Sequence, residues 1–319
     1  MIVLSDFIQS LTLDHSDLDA RLRTVTVSAK STNASVTLHA HYLAFRAGKP
    51  TVEEFVDVIT FKLVPFCLHR RHIADTQAKW PSMAPDKVQA SAARLQQQAI
   101  DLFKKAQKNT NRNGEFGELV LYLLVEKVLG APQLVAKMSL KTNTEMPVHG
   151  SDGIHVRYDL LTDSLFLIWG ESKCHASVGG AIRSAVESIQ ESLQYEKMGR
   201  ELFLIDQYMD LSGVPLELQG ALKGFLDPYN EKYNQRYDGS VALIVFDFDE
   251  FAELNKLTPA DVETTFRLKL EQQLEINAKI LDSAIGAGPL AGHAMEFFFI
   301  PVPSIAEFRA KFQNHIGWS

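Results

Sequence analysis

Two runs constrain the fold more than anything else in the chain. Leu165 to Trp169 and Val241 to Phe246 are continuously apolar, too short for the interior of a helix that stands alone and bounded by turn-forming or charged residues. Such runs read as strands buried on both faces. Amphipathic helical patterns separate them. After Ser177-Val178-Gly179-Gly180, the residues Ile182, Val186, Ile189 and Leu193 recur at helical spacing, which describes one face packed on a sheet. Thr258-Pro259 opens a long helix, with threonine as cap and proline in the first turn, and Ala294 to Val302 closes the strand set. The fold class expected is α/β, a mixed sheet with helices on its faces.

The first apolar run ends in Gly170-Glu171-Ser172-Lys173, so charge stands where a buried strand emerges. Unpaired charge beside apolar sequence is costly. Upstream, Asp152 sits at a glycine-flanked bend before a second strand, Gly153 to Tyr158. If the two strands pair antiparallel through the turn Leu160-Leu161-Thr162-Asp163-Ser164, Asp152 and Glu171 share one end of the sheet. Glu171 and Lys173 then point to one face and Ser172 to the other. Two carboxylates with a backbone carbonyl such as that of Ser172 suit Mg²⁺ or Mn²⁺. Such an ion and a lysine beside the attacking water suit phosphodiester hydrolysis. The bland alternative is an ion pair at an exposed strand end.

The flanking elements follow in order. Trp80 to Pro85 is a breaker cluster. Asp86 to Asn109 reads as an amphipathic helix, and from Asp86 to Arg112 six basic residues face two acidic ones, which is either a solvated face or one that meets phosphates. The next helix, capped by Asn113, runs from Gly114 to Leu129 and stops at Gly130-Ala131-Pro132. Glu115 and Glu118 lie in its first turn, and either could add a carboxylate to the site. Leu134 to Leu140 reads as a strand and Lys141 to Pro147 as a polar connection. Near the start, Thr24–Ala29 and Ser35–Tyr42 read as a strand hairpin, Thr51–Thr60 as a short helix, and Cys67 to His72 as a solvated basic loop rather than a zinc site. The division expected is 1–112, an N-terminal region for partner contact, and 113–319, a core with a helical insert at 200–238 and a C-terminal extension.

Composition excludes several classes. Two cysteines in 319 residues make no disulfide framework. No run approaches a membrane span, and the first residues lack a basic segment followed by a long apolar core, so no secretory signal is expected. A formal charge of −7 argues against a high-affinity nucleic-acid binder that works alone. There is no phosphate-binding glycine loop of the ATPase type, no dinucleotide fingerprint and no nucleophile elbow. Asp247 with Asp249 remains as a common pair at a strand end.

The order helix-acid, strand, Asp152, buried strand, Glu171-Ser172-Lys173, helix, strand resembles the αβββαβ core of the PD-(D/E)xK nuclease superfamily. Within that superfamily, Gly114-Glu115-Phe116-Gly117-Glu118, Gly150-Ser151-Asp152-Gly153-Ile154-His155 and Gly170-Glu171-Ser172-Lys173 resemble the nuclease subunit of the Hachiman antiphage defence system. The resemblance implies a restriction-endonuclease-like core with N- and C-terminal elaborations. It implies a magnesium-dependent nuclease in the bacterial cytoplasm, acting on DNA under control of a superfamily 2 helicase partner. Metal binding carries over to Asp152, Glu171 and Glu118, catalysis to Lys173 with them. Serine stands at 151, where the superfamily pattern has proline. A nuclease fold kept as a silent scaffold or DNA sensor is the alternative.

Overall fold

The computed structural model describes residues 3–25, 30–33, 35–110, 114–138, 151–209, 214–286, 288–290 and 292–318, with the side chains of 107–110 and 115 outside that set. Asn113, Lys141–Pro147 and most of the tail of the first expected strand therefore lie outside the described residues.

Among these residues the strands are β1 (Leu22–Val25), β2 (Val36–Leu43), β3 (Phe45–Arg46), β4 (Lys49–Pro50), β5 (Gly153–Asp159), β6 (Ser164–His175), β7 (Arg236–Asp247) and β8 (Ala294–Val302). The helices are α1 (Leu4–Ser10), α2 (Val52–Phe61), α3 (Leu63–Cys67), α4 (Arg70–Gln77), α5 (Pro85–Thr110) and α6 (Glu115–Leu129) in the first half. In the second half they are α7 (Val178–Ser192), α8 (Tyr195–Tyr208), α9 (Leu216–Gly224), α10 (Glu250–Leu254), α11 (Pro259–Ile285) and α12 (Ile305–His315).

Six strands form one sheet in the order β1-β2-β8-β7-β6-β5. The four central strands run parallel, and an antiparallel strand closes each edge. This is the mixed α/β sheet expected. Continuous apolar runs are what two-sided burial requires. In β7, Val241, Leu243 and Val245 pack into the layer of α2, α5, α6 and α12. Ala242, Ile244 and Phe246 pack into the layer of α7 and α11. β8 divides likewise, with Phe298 and Ile300 on the first side and Phe297 and Phe299 on the second. A third cluster joins the outer half of β5 and β6 to α1, α8 and α9.

The β5–β6 hairpin forms as the sequence implies, with Gly153 opposite Gly170 and Asp159 opposite Ser164. Caps agree as well: Thr258 precedes Pro259 at the start of α11, and Gly130 ends α6 in the left-handed region at φ 60°, a conformation that glycine takes without steric penalty.

Two expectations are corrected. Leu134–Leu140 is not a strand over its described part. Only Gln133 bridges to His155 on the outer edge of β5, flanked by bonds from Leu134 N to Ile154 O and from Val156 N to Pro132 O. Leu134 and Val135 are both buried, and Lys137 and Met138 are already helical. Two consecutive buried side chains break the alternation that a strand covered on one face needs. The stretch from Cys67 to His72 is not a solvated loop either. Cys67 ends α3 fully buried, Arg70 begins α4, and Arg70 Nη1 donates to Gln133 O at 2.8 Å.

Candidate functional site

The site forms where β5 runs out beside β6. β6 continues past Gly170 for five residues, and over that length its only strand neighbour among the described residues is β7. The even-numbered residues of this stretch turn their backbone groups toward the open edge. Asp152, the residue before β5, closes that edge. Its N–H donates to Gly170 O at 2.7 Å, and its Oδ2 accepts from both the N–H and the hydroxyl of Ser172, each at 2.8 Å. N–H and C=O of one strand residue point the same way, so the Ser172 carbonyl also faces the Asp152 side.

Side chains alternate as expected. Glu171 and Lys173 lie on the α7 face, and Lys173 Nζ donates to Glu171 Oε1 at 2.6 Å. Ser172 and Cys174 lie on the α6 face, against Gly117. A β-carbon at Gly117 would stand 2.8 Å from Cys174 Sγ and 3.2 Å from Ser172 Oγ. Glycine at 117 therefore lets α6 approach the end of β6.

Electrostatics mark this spot. Burial, and then the neighbouring Asp152 carboxylate, raise Glu171 from 4.5 to about 7, against the opposing pull of Lys173 and a hydrogen bond from Ser188 on α7. Burial pushes Cys174 up to about 12, so it is no thiolate nucleophile at neutral pH. Burial, Lys173 and Arg309 lower His175.

The structure thus brings Asp152, Glu171 and Lys173 together. Glu118 lies one turn into α6, buried at 7% exposure, and its charge acts on Cys67 and Cys174. The Glu115 side chain is outside the described set. Among the described residues no group of three or more His, Cys, Asp or Glu side chains could hold a metal ion. The donor set is then two carboxylates and the Ser172 carbonyl. It fits a hard divalent cation on chemical grounds: all donors are oxygens, and the buried Glu171 stands beside the like-charged Asp152 with the one ammonium of Lys173 set against the two carboxylates.

Asp247 is otherwise engaged, since its Oδ1 accepts from Ile305 N at 2.6 Å and caps α12. Asp249 is exposed at the start of α10.

Several residues at or beside the site gave no signal in the sequence. Arg309, on α12, lies near enough to Cys174 and His175 for its charge to act on both, and its Nε is buried without a hydrogen-bond partner among the described residues. Lys137 and Glu201 pair beneath Ser151. Only burial or a partner distant in sequence distinguishes them, and neither is visible in a local pattern.

Among the described residues no helix is long and apolar enough to cross a membrane. No curated protein matches the chain. The family model HamA matches residues 18–316, nearly the whole chain and all of the site. The chain therefore belongs to the HamA family, the nuclease-like subunit of the Hachiman antiphage defence system.

Proposed function

We propose that the chain is a metal-dependent deoxyribonuclease, the effector subunit of its defence complex, held in check or released by a superfamily 2 helicase partner in the bacterial cytoplasm. The observation that carries this reading is the meeting of Asp152, Glu171 and Lys173 at the end of β6, beyond its pairing with β5. Asp152 and Glu171, with the Ser172 carbonyl, would hold Mg²⁺ or Mn²⁺, and Glu118 is the proposed helix carboxylate beside them. When bound, such an ion supplies Lewis-acid stabilisation of charge on the phosphodiester. Lys173 contributes an ammonium that orients the attacking water and stabilises developing negative charge. Arg309 adds positive charge on the same end of the sheet, which suits a polyanionic strand. The overall charge of −7 opposes unaided binding of DNA, so grip and ATP turnover fall to the partner.

One observation favours a second reading, a silent scaffold or DNA-sensing subunit. Glu171 is paired with Lys173 and Asp152 accepts from Ser172, so each carboxylate already has a partner within the protein. A single assay separates the two. Purified protein is incubated with plasmid and Mg²⁺, with and without the helicase, beside Glu171→Ala and Lys173→Ala. Cleavage by wild type, lost by about 10²–10³-fold in either variant and abolished by EDTA, supports the enzyme. Plasmid left equally intact by all three proteins under every condition sinks it.

A further inference from the structure

Lys137 follows the Gln133 bridge and turns inward. Its Nζ donates to Ser151 O at 2.6 Å and to Ser151 Oγ at 3.0 Å, and it pairs with Glu201 Oε2 at 2.6 Å. All three residues are buried. Glu201 belongs to α8, 64 positions away in sequence, and its other carboxylate oxygen, Oε1, has no hydrogen-bond partner among the described residues.

This arrangement is a poor way to gain stability. A buried ion pair rarely outperforms apolar side chains of the same volume, and an unsatisfied carboxylate oxygen adds to the cost. What the pair does achieve is placement. One ammonium grips both the carbonyl and the hydroxyl of Ser151, fixing the backbone and the side chain of the residue before Asp152. The next amide, that of Asp152, donates to Gly170 O, and the Asp152 carboxylate accepts from Ser172. A continuous run of bonds therefore leads from α8 through Glu201, Lys137 and Ser151 to the end of β6.

We propose that Lys137 and Glu201 are positioning residues that hold Asp152 against the end of β6. The consequence for metal affinity rests on the reading of Asp152 as a metal ligand; the positioning itself does not. α8 becomes the element through which the site can be tightened or loosened, because one of its own side chains anchors the clamp.

The test uses the full-length protein. Removing one charge would strand the other in the interior, so the main variant is Lys137→Met/Glu201→Leu, with Glu201→Gln as a milder one that keeps an acceptor. Two readouts are taken: amide hydrogen exchange of Asp152 and Ser172, and Mn²⁺ titration with Asp152→Asn as reference. The double variant is expected to speed exchange at both amides about tenfold or more while β7 and β8 exchange as in wild type. Its Mn²⁺ affinity is expected to fall about 10–100-fold, the usual effect of losing a group that orients a ligand. Glu201→Gln is expected to lie between. Exchange unchanged at both amides overturns the positioning, even if Asp152→Asn abolishes Mn²⁺ binding and so upholds the metal reading. Exchange accelerated throughout β7 and β8 also overturns it, because the pair is then a general structural support. Local acceleration in a protein whose wild type takes up no Mn²⁺ supports the positioning and removes the metal reading instead.

Discussion

β7 and the last five residues of β6 lie side by side, in register from Glu171 opposite Ala242 to His175 opposite Phe246, yet they meet burial in opposite ways. β7 sends apolar side chains alternately into two helical layers. β6 sends out a carboxylate, a hydroxyl, an ammonium, a thiol and an imidazole in succession. The difference lies in their neighbours. Among the described residues β7 has a strand on each side, whereas β6 past Gly170 has one only on the β7 side. Polar groups sit where the sheet's cover runs out, close enough to satisfy one another and still near water. The cost is visible in the raised Glu171 and Cys174.

Truncation in the apolar region should give the largest change in stability. Phe298 is fully buried in β8 and stacked on His39 at 4.7 Å between ring centroids. Phe298→Ala is expected to cost about 3–5 kcal/mol in urea denaturation. Its affinity for Mn²⁺, measured well below the melting temperature, should stay near that of wild type. A large loss of affinity would show that core and site are not separable.

At the polar region the sign reverses. Glu171 has an ordinary value of 4.5 and a folded value of about 7. Between those pH values the folded state holds a proton that the unfolded state has released. The stability this confers is complete below pH 4.5 and is lost as the pH rises to 7. Glu171→Gln cannot lose that proton. Without divalent ions at pH 8 it should be the more stable protein by roughly 1–3 kcal/mol, and it should cleave nothing. A variant that melts below wild type at pH 8 would show that the ion pair with Lys173 outweighs burial.

The same contrast explains what was readable in the sequence. β7 and β8 announced themselves because two-sided burial leaves unbroken apolar runs. The β5–β6 hairpin and the convergence of Asp152 with Glu171 followed from strand alternation and one short turn. Strand order did not: β8 lies between β2 and β7, a pairing that no local pattern encodes. Leu134–Val135 mimicked a strand because both residues are buried by tertiary packing rather than by a pleat. The Ser172 side chain was expected to point away from Glu171 and Lys173, and it does, but its hydroxyl and amide hold Asp152, a role the alternation did not reveal. Nothing in the local sequence singled out Lys137 or Glu201; only folding reveals them as a buried pair.

Two glycines offer the smallest and sharpest comparison. Gly220 lies exposed in α9, and a β-carbon there would meet nothing within 4 Å. Gly220→Ala should add about 0.5–1 kcal/mol through helix propensity and a less flexible unfolded chain. Gly117 would gain the same propensity within α6, but its new β-carbon meets Cys174 Sγ at 2.8 Å and Ser172 Oγ at 3.2 Å. Those atoms stand on the strand that carries the site, so relief requires either α6 or the end of β6 to move. Gly117→Ala is therefore expected to lose about 1–2 kcal/mol net. It should also disturb the Ser172–Asp152 hydrogen bonds, so cleavage should drop about tenfold further than the stability loss accounts for. Thermal melts of the two variants beside wild type, with Mn²⁺ titrations, decide the matter. Equal melting shifts in the two would mean that α6 does not press on the end of β6, and that the site is held by the sheet alone.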